Sequence, residues 1–260
     1  MSWLGGAGAR LRSLVCLGVL PAGVILYSGG AVIAALAGAS RSHLDRYYQG
    51  FARLCMRVGG TRLEVRGIEK VKPDQAYIVV PNHESNWDPP SLICALSPPL
   101  SLRFIVKRQI MAIPVFGQAL RRTGSVRVER TNTAGDIERI RAQMAARPLE
   151  VSVLFYAEGT RSRDGALHPF RKGAFVTAIG YGLPVLPVGH AGCRAILSPG
   201  SIWVRPGPVV VEVGEPIPVA GLELADRDRL RDQAHEAVRA LRARARTRVR
   251  ELGGDPGGID

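Results

Sequence analysis

The stretch Ala76-Tyr77-Ile78-Val79-Val80-Pro81-Asn82-His83-Glu84-Ser85-Asn86-Trp87-Asp88-Pro89-Pro90 passes from an apolar run rich in β-branched residues, through a polar loop, to a diproline. A short apolar run bounded by turn signals reads as a buried strand. The diproline reads as a helix start, with Asp88 as the N-cap and Pro89 at the first helical position, where no N–H is needed. On one regular helix His83 and Asp88 would stand about 140° apart at about 100° per residue, so they meet only if the chain turns between them. If they meet, a neutral imidazole has one nitrogen held by a carboxylate and the other available as a general base. The plainer alternative leaves Asp88 as a cap and His83 as a solvated loop residue.

Outward from this stretch, strands are expected near 102–106, 125–128, 151–156 and 184–188. Helices are expected after Asp88, from Thr133 (with Asp136 as a capping-box partner) to before Pro148, and over 172–181. Strands alternating with helices predict an α/β domain built on a largely parallel sheet flanked by helices. Residues 201–213 read as a closing hairpin around Pro206-Gly207-Pro208. Leu230, Ala234, Val238, Leu241, Ala245 and Val249 mark one face of a C-terminal basic amphipathic helix, with nine arginines from Arg227 to Arg250 expected on its wet side.

The N-terminus differs in kind. Ser13 to Ser40 is a run of 28 residues without a charge, flanked by Arg10, Arg12 and Arg41. As one helix it would reach roughly 42 Å, longer than the ~30 Å hydrocarbon core of a bilayer, so it is read as a membrane-embedded helical segment. Pro21 and the Gly29-Gly30 pair are expected breakpoints, and a bent or re-entrant hairpin stands beside a single span. Arginines at both ends leave the orientation open. Ala37-Gly38-Ala39 has the form of a signal cleavage site, but the run exceeds the ~7–15 residues of a signal core. Residues 41–58 have helical apolar spacing with Arg41, Arg46, Arg53 and Arg57 between, suited either to headgroups or to ordinary packing. The expected division is a membrane-anchoring segment over 1–58, a catalytic domain over 59–219, and a basic helix and tail over 220–260.

Across 260 residues, 35 Lys+Arg against 22 Asp+Glu give a net charge of +13, while 46% of residues are apolar. The apolar share excludes a disordered basic tail, and the charge favours an anionic partner. Aromatics at 6% with no stacking motif argue against nucleic acid. Cys16, Cys55, Cys94 and Cys193 are scattered with no CxxC pair, which reads as reduced packing residues.

Three further blocks accompany the His83–Asp88 loop: Gly124-Ser125-Val126-Arg127-Val128-Glu129-Arg130, Phe155-Tyr156-Ala157-Glu158-Gly159-Thr160-Arg161-Ser162, and Val185-Leu186-Pro187-Val188. With these four blocks in this order, over roughly residues 60–215, the chain resembles the glycerolipid acyltransferase family, which includes the 1-acyl-glycerol-3-phosphate acyltransferases. The resemblance implies that His83 and Asp88 form the NHxxxxD catalytic motif. It further implies that Arg130, Glu158, Gly159, Thr160, Arg161 and Pro187 belong to the acceptor-binding blocks, with Arg130 and Arg161 on phosphate. Lys107, before Ile113-Pro114-Val115-Phe116-Gly117, falls where the family commonly has a lysine and is assigned to the acyl carbonyl. Two positions depart from the family pattern: Tyr156-Ala157 stands for the usual Phe-Pro, and Arg127 for an apolar residue.

The activity so implied is acyl transfer from acyl-CoA or acyl carrier protein to a lysophospholipid hydroxyl, most simply 1-acyl-sn-glycerol-3-phosphate to phosphatidic acid. It needs no metal and no cofactor beyond the donor, and takes place on membrane lipid at the cytosolic face. An ion pair between Arg161 and Glu158 is the alternative use of that arginine. Other readings are a different lysolipid acceptor, a non-catalytic membrane-tethered lipid binder, and a metal hydrolase using His83, Asp88, Glu158 and His168 or His190.

Overall fold

A computed structural model of the chain describes residues 3–128 and 151–257, with side chains from residue 8 onward and none over 128–150. Arg130 and the helix expected from Thr133 lie outside the described residues.

The chain opens with a helical hairpin, α1 (Trp3–Leu36) and α2 (Arg41–Gly59). The expected break does not occur, and α1 runs straight through Pro21. The glycines serve the crossing instead. A Cβ on Gly23 would come within 2.7 Å of Leu54 Cδ2, and one on Gly30 within 2.5 Å of Tyr47 Cε1. Their bareness lets two backbones approach closely, a gain in packing that offsets their weak helix propensity. Over Gly8–Leu36, α1 is long and apolar enough to cross a membrane. Yet a stripe containing Ser13, Cys16, Gly23, Ser28, Ala31 and Ala34 is buried against the rest of the chain. The helix is thus docked along its length, and its other faces are open. Ser40 caps α2, and Gly60 ends it in the left-handed conformation, at φ 66°.

Among the described residues, seven strands form one sheet in the order β1-β7-β6-β2-β5-β3-β4. They are β1 (Thr61–Arg66), β2 (Ile78–Pro81), β3 (Ser101–Lys107), β4 (Val126–Val128), β5 (Val151–Leu154), β6 (Val185–Ala191) and β7 (Gly207–Val213). Every pairing is parallel except β6 with β7. The sheet is largely parallel and flanked by helices, as the alternating pattern predicts. Buried on both faces, its central strands show continuous apolar runs: Tyr77 and Val79 join the core under α2 and α3 (Asp88–Leu96), while Ile78 and Val80 join the core under α6 (Gly173–Tyr181) and α8 (Arg227–Glu251). Short helices α4 (Arg108–Met111), α5 (Phe116–Arg122) and α7 (Cys193–Ile196), with 3₁₀ turns at Ile68–Lys70 and Leu224–Asp226, complete the described elements.

Two expectations fail here. β1 carried no recognised signal and is an edge strand beside β7. The hairpin expected over 201–213 is half a hairpin: residues 201–206 form no strand, because Val204 is drawn out to α1, where its N–H donates to Ser13 Oγ at 2.8 Å. The apolar stripe of α8 is buried as expected, but Arg242 and Arg246 are buried with it. Close seating of α8 depends on Gly189 of β6, since a Cβ there would strike the α8 backbone at Leu241 and Arg242.

Candidate active site

β2 is the middle strand, so the loop leaving it emerges at the centre of the sheet's carboxyl edge, where α/β folds place ligands. Asn82 secures the exit: its Oδ1 accepts from His190 N at 2.9 Å and its Nδ2 donates to His190 O at 3.1 Å, so a side-chain amide continues the β2–β6 ladder. The chain then turns, and His83 Nδ1 meets Asp88 Oδ2 at 2.8 Å. The same oxygen accepts from the N–H groups of Glu84, at 2.8 Å, and Ser85, at 2.9 Å. Asp88 is therefore not the helix cap expected. It is the first residue of α3, and its carboxylate turns back to the loop, where the imidazole and the Glu84 and Ser85 N–H groups hold it.

The electrostatics follow from burial. Asp88 is fully enclosed, which alone would raise its pKa. The imidazoles of His190 and His83 and the Ser85 N–H outweigh this and hold it below the ordinary carboxylate value. Burial pushes His83 down, against the pull of Asp88, with His190 and Arg161 adding to the fall. An ionised Asp88 requires a proton on His83 Nδ1, so Nε2 is the basic nitrogen, and it makes no bond among the described residues. A partly buried, neutral, oriented imidazole is a general base in waiting.

The loop after β5 encloses His83 on three sides. The Tyr156 ring stacks on the imidazole, with centroids 3.6 Å apart and planes 15° apart. Glu158 Oε1 accepts the His83 N–H at 2.7 Å, and Ser162 N donates to the His83 carbonyl at 2.8 Å. The other Glu158 oxygen accepts from His168 N at 3.0 Å. Burial drives this carboxyl up to about 8 in spite of those two donors. Glu158 thus faces backbone and makes no ion pair with Arg161 among the described residues. Gly159 has φ 79°, a conformation that favours glycine, and the Arg171 side chain lies over it. Thr160 is exposed and Arg161 half-buried, close enough to act on His83 electrostatically.

The remaining expected residues are spread wider. Lys107 is exposed at the carboxyl end of β3, two strand positions from β2, or roughly 10 Å at ~4.8 Å per strand. Pro187 lies inside β6 opposite Val80, its ring packed with Leu241 around Gly214, away from the loops. Arg130 is outside the described residues.

Sequence reasoning missed the supports. Glu84 Oε1 accepts from Arg242 Nε at 2.7 Å, both side chains being buried, and Arg242 also donates to Gly165 O. An ion pair from α8 thus braces the His83 loop from behind. Its signal was available, since Arg242 follows Leu241 directly and borders the buried stripe. Tyr156 was visible only as a departure from Phe. Its buried hydroxyl, like Asp88 Oδ1 and His190 Nδ1, has no hydrogen-bond partner among the described residues.

Of the residues of the metal-hydrolase reading, Glu158 faces backbone and His168 pairs with exposed Asp164 at 3.1 Å, while His190 Nε2 lies 4.0 Å from Asp88 Oδ2. Asp88, His190 and Cys193 do come together, with ligand atoms within 4.8 Å. Burial pushes the Cys193 thiol well up, so the sulfur beside the carboxylate keeps its proton.

A base–carboxylate pair thus stands at the carboxyl edge of the sheet with an arginine nearby, and among the described residues no serine or cysteine is bonded to the base. The family model described as Acyltransferase matches residues 62–191. The chain is 33% identical over 66% of its length to the chloroplastic 1-acyl-sn-glycerol-3-phosphate acyltransferase BAT2 of Brassica napus, of which it spans 52%. It is 30% identical over 75% of its length to a putative 1-acyl-sn-glycerol-3-phosphate acyltransferase of Caenorhabditis elegans, of which it spans 69%. In fold it resembles the crystal structure of the 1-acyl-sn-glycerophosphate acyltransferase of Thermotoga maritima, with a TM-score of 0.73, 23% identity, and coverage of 92% of this chain and 98% of that one. The chain belongs to the glycerolipid acyltransferase family.

Proposed function

We propose that this chain transfers a fatty acyl group from an acyl thioester to the free hydroxyl of a lysophospholipid carrying a glycerol phosphate, most simply converting 1-acyl-sn-glycerol-3-phosphate to phosphatidic acid. The observation that carries the reading is the 2.8 Å contact between His83 Nδ1 and Asp88 Oδ2, which leaves Nε2 basic. Nε2 takes the hydroxyl proton as the oxygen attacks the thioester carbonyl. The tetrahedral intermediate then expels the thiolate, the C–S bond breaks, and the proton held by the imidazolium passes to sulfur. No acyl-enzyme forms and no cofactor enters. A base so placed supplies roughly 10²–10⁴ in rate. Arg161, with Arg130, is assigned to the acceptor phosphate, which guanidinium engages in a two-pronged way. Lys107 and backbone N–H groups are assigned to the developing oxyanion.

The acceptor is a membrane lipid, and α1, with its unburied apolar faces, supports membrane attachment. Because α1 is docked on the domain along its length, the reading places it in the bilayer interface rather than across the bilayer. A cytosolic donor, acyl-CoA or acyl carrier protein, puts the catalytic face on the cytosolic side. The test is thiol release with a panel of lysolipids and both donor types. Release dependent on 1-acyl-sn-glycerol-3-phosphate is expected, and no release with any acceptor would sink the reading.

A further inference from the structure

The segment between α7 and β7 joins the catalytic loop to the apolar helix. At its start, Leu197 O accepts from Ser85 Oγ at 2.6 Å, and the same Ser85 oxygen accepts the Trp87 N–H at 2.9 Å. Near its end, the Val204 N–H donates to Ser13 Oγ of α1 at 2.8 Å, with both residues buried. Cys16, Trp87, Ile196 and Val204 share one core cluster, so these two stitches belong to a single packed block.

Between the stitches the side chains point the other way. Ile202 is 55% exposed and Trp203 47% exposed, at the tip of a loop that contains Pro199 and Gly200. On the neighbouring turns of α1, Leu11, Leu14, Val15 and Leu17 are also exposed. Cations rim the tip. Arg205 follows it and, with Arg62, lines a cavity of about 250 Å³ beside Pro206 and Pro208. Arg12 Nη1 and Pro206 flank the same point at Gly60. A tryptophan and an isoleucine beside an exposed apolar helix, edged by arginines on a chain of net charge +13, match a leaflet of anionic glycerophospholipid.

We propose that the Ile202–Trp203 tip is a lipid-inserting wedge that enters the same leaflet as α1 and, through Leu197 and Ser85, holds the His83 loop at headgroup depth. This rests on the membrane reading above and adds a second, separate contact to it. The hydroxyl of a lysolipid sits at the headgroup level, so a base held there meets it without lifting the acyl chain into water.

Tryptophan quenching tests this in vesicles of phosphatidylcholine and phosphatidylglycerol whose chains are brominated near the ester end. Trp3 and Trp87 are common to the parent protein and W203F, so the difference between the two isolates Trp203. The expected result is quenching of the parent that is markedly reduced in W203F. In the variant I202S/W203S, transfer to a long-chain lysolipid embedded in the vesicles should fall about tenfold, while transfer to a short-chain lysolipid dissolved in water stays unchanged. Equal quenching of the parent and W203F, or full vesicle turnover by I202S/W203S, would overturn the wedge. A parent that transfers no acyl group in either assay overturns the proposed activity, while the quenching still reports where the tip lies.

Discussion

Glu158 Oε1 accepts the backbone N–H of His83 at 2.7 Å, so a residue of the second motif holds the main chain of the first. The acidic residue thereby steadies the backbone that carries the imidazole.

That placement makes Glu158 a pH-dependent element of stability. Its carboxyl is raised from the ordinary 4.5 to about 8, so the folded state binds its proton more tightly than the unfolded chain does. The contribution is fully present below pH 4.5 and is lost as pH rises through about 8. Thermal melts across this window should show stability declining with pH, and E158Q should flatten that slope. A slope unchanged in E158Q would refute the assignment.

His83→Ala should cut turnover by roughly 10²–10⁴ with the melting temperature near that of the parent. Because burial and neighbouring cations lower the His83 pKa below 6.5, the parent's acid limb should fall below pH 6.5, as protonation of Nε2 removes the base. An acid limb above neutrality would contradict the electrostatics.

Tyr156 supplies a stacked ring and a buried hydroxyl with no partner among the described residues. Tyr156→Phe keeps the stack and removes the unsatisfied group, so denaturant unfolding should show a gain of about 1 kcal/mol with activity retained. Tyr156→Ala should lower kcat by about tenfold or more, because a loosened base loses its alignment. Destabilisation by Phe would mean that the hydroxyl has a partner.

Arg242 and Glu84 form a buried pair behind the loop. Arg242→Met should destabilise by about 3–5 kcal/mol by leaving a carboxylate buried and unpaired. Adding Glu84→Gln should restore more than half of that loss, and chemical denaturation of Arg242→Met, Glu84→Gln and the double variant measures it. Additive losses would show that the two side chains do not depend on each other.

Much was legible in the chain because it rests on local physics. The apolar run over 76–80 reads as a strand and β2 starts within it, and the His83–Asp88 spacing calls for a turn that the structure makes. What stayed hidden depends on partners remote in sequence. Whether Asp88 caps a helix or steers an imidazole is decided by the fold of the loop before it, which brings His83 and the Glu84 and Ser85 N–H groups onto its carboxylate. Whether Gly30 breaks α1 or admits α2 is decided by Tyr47 across the hairpin. Arg242 looked like one more solvated arginine until folding brought it onto Glu84, 158 residues away. Residue spacing reports period and conformation, whereas the worth of a charge or a missing side chain is set by what the folded chain places against it.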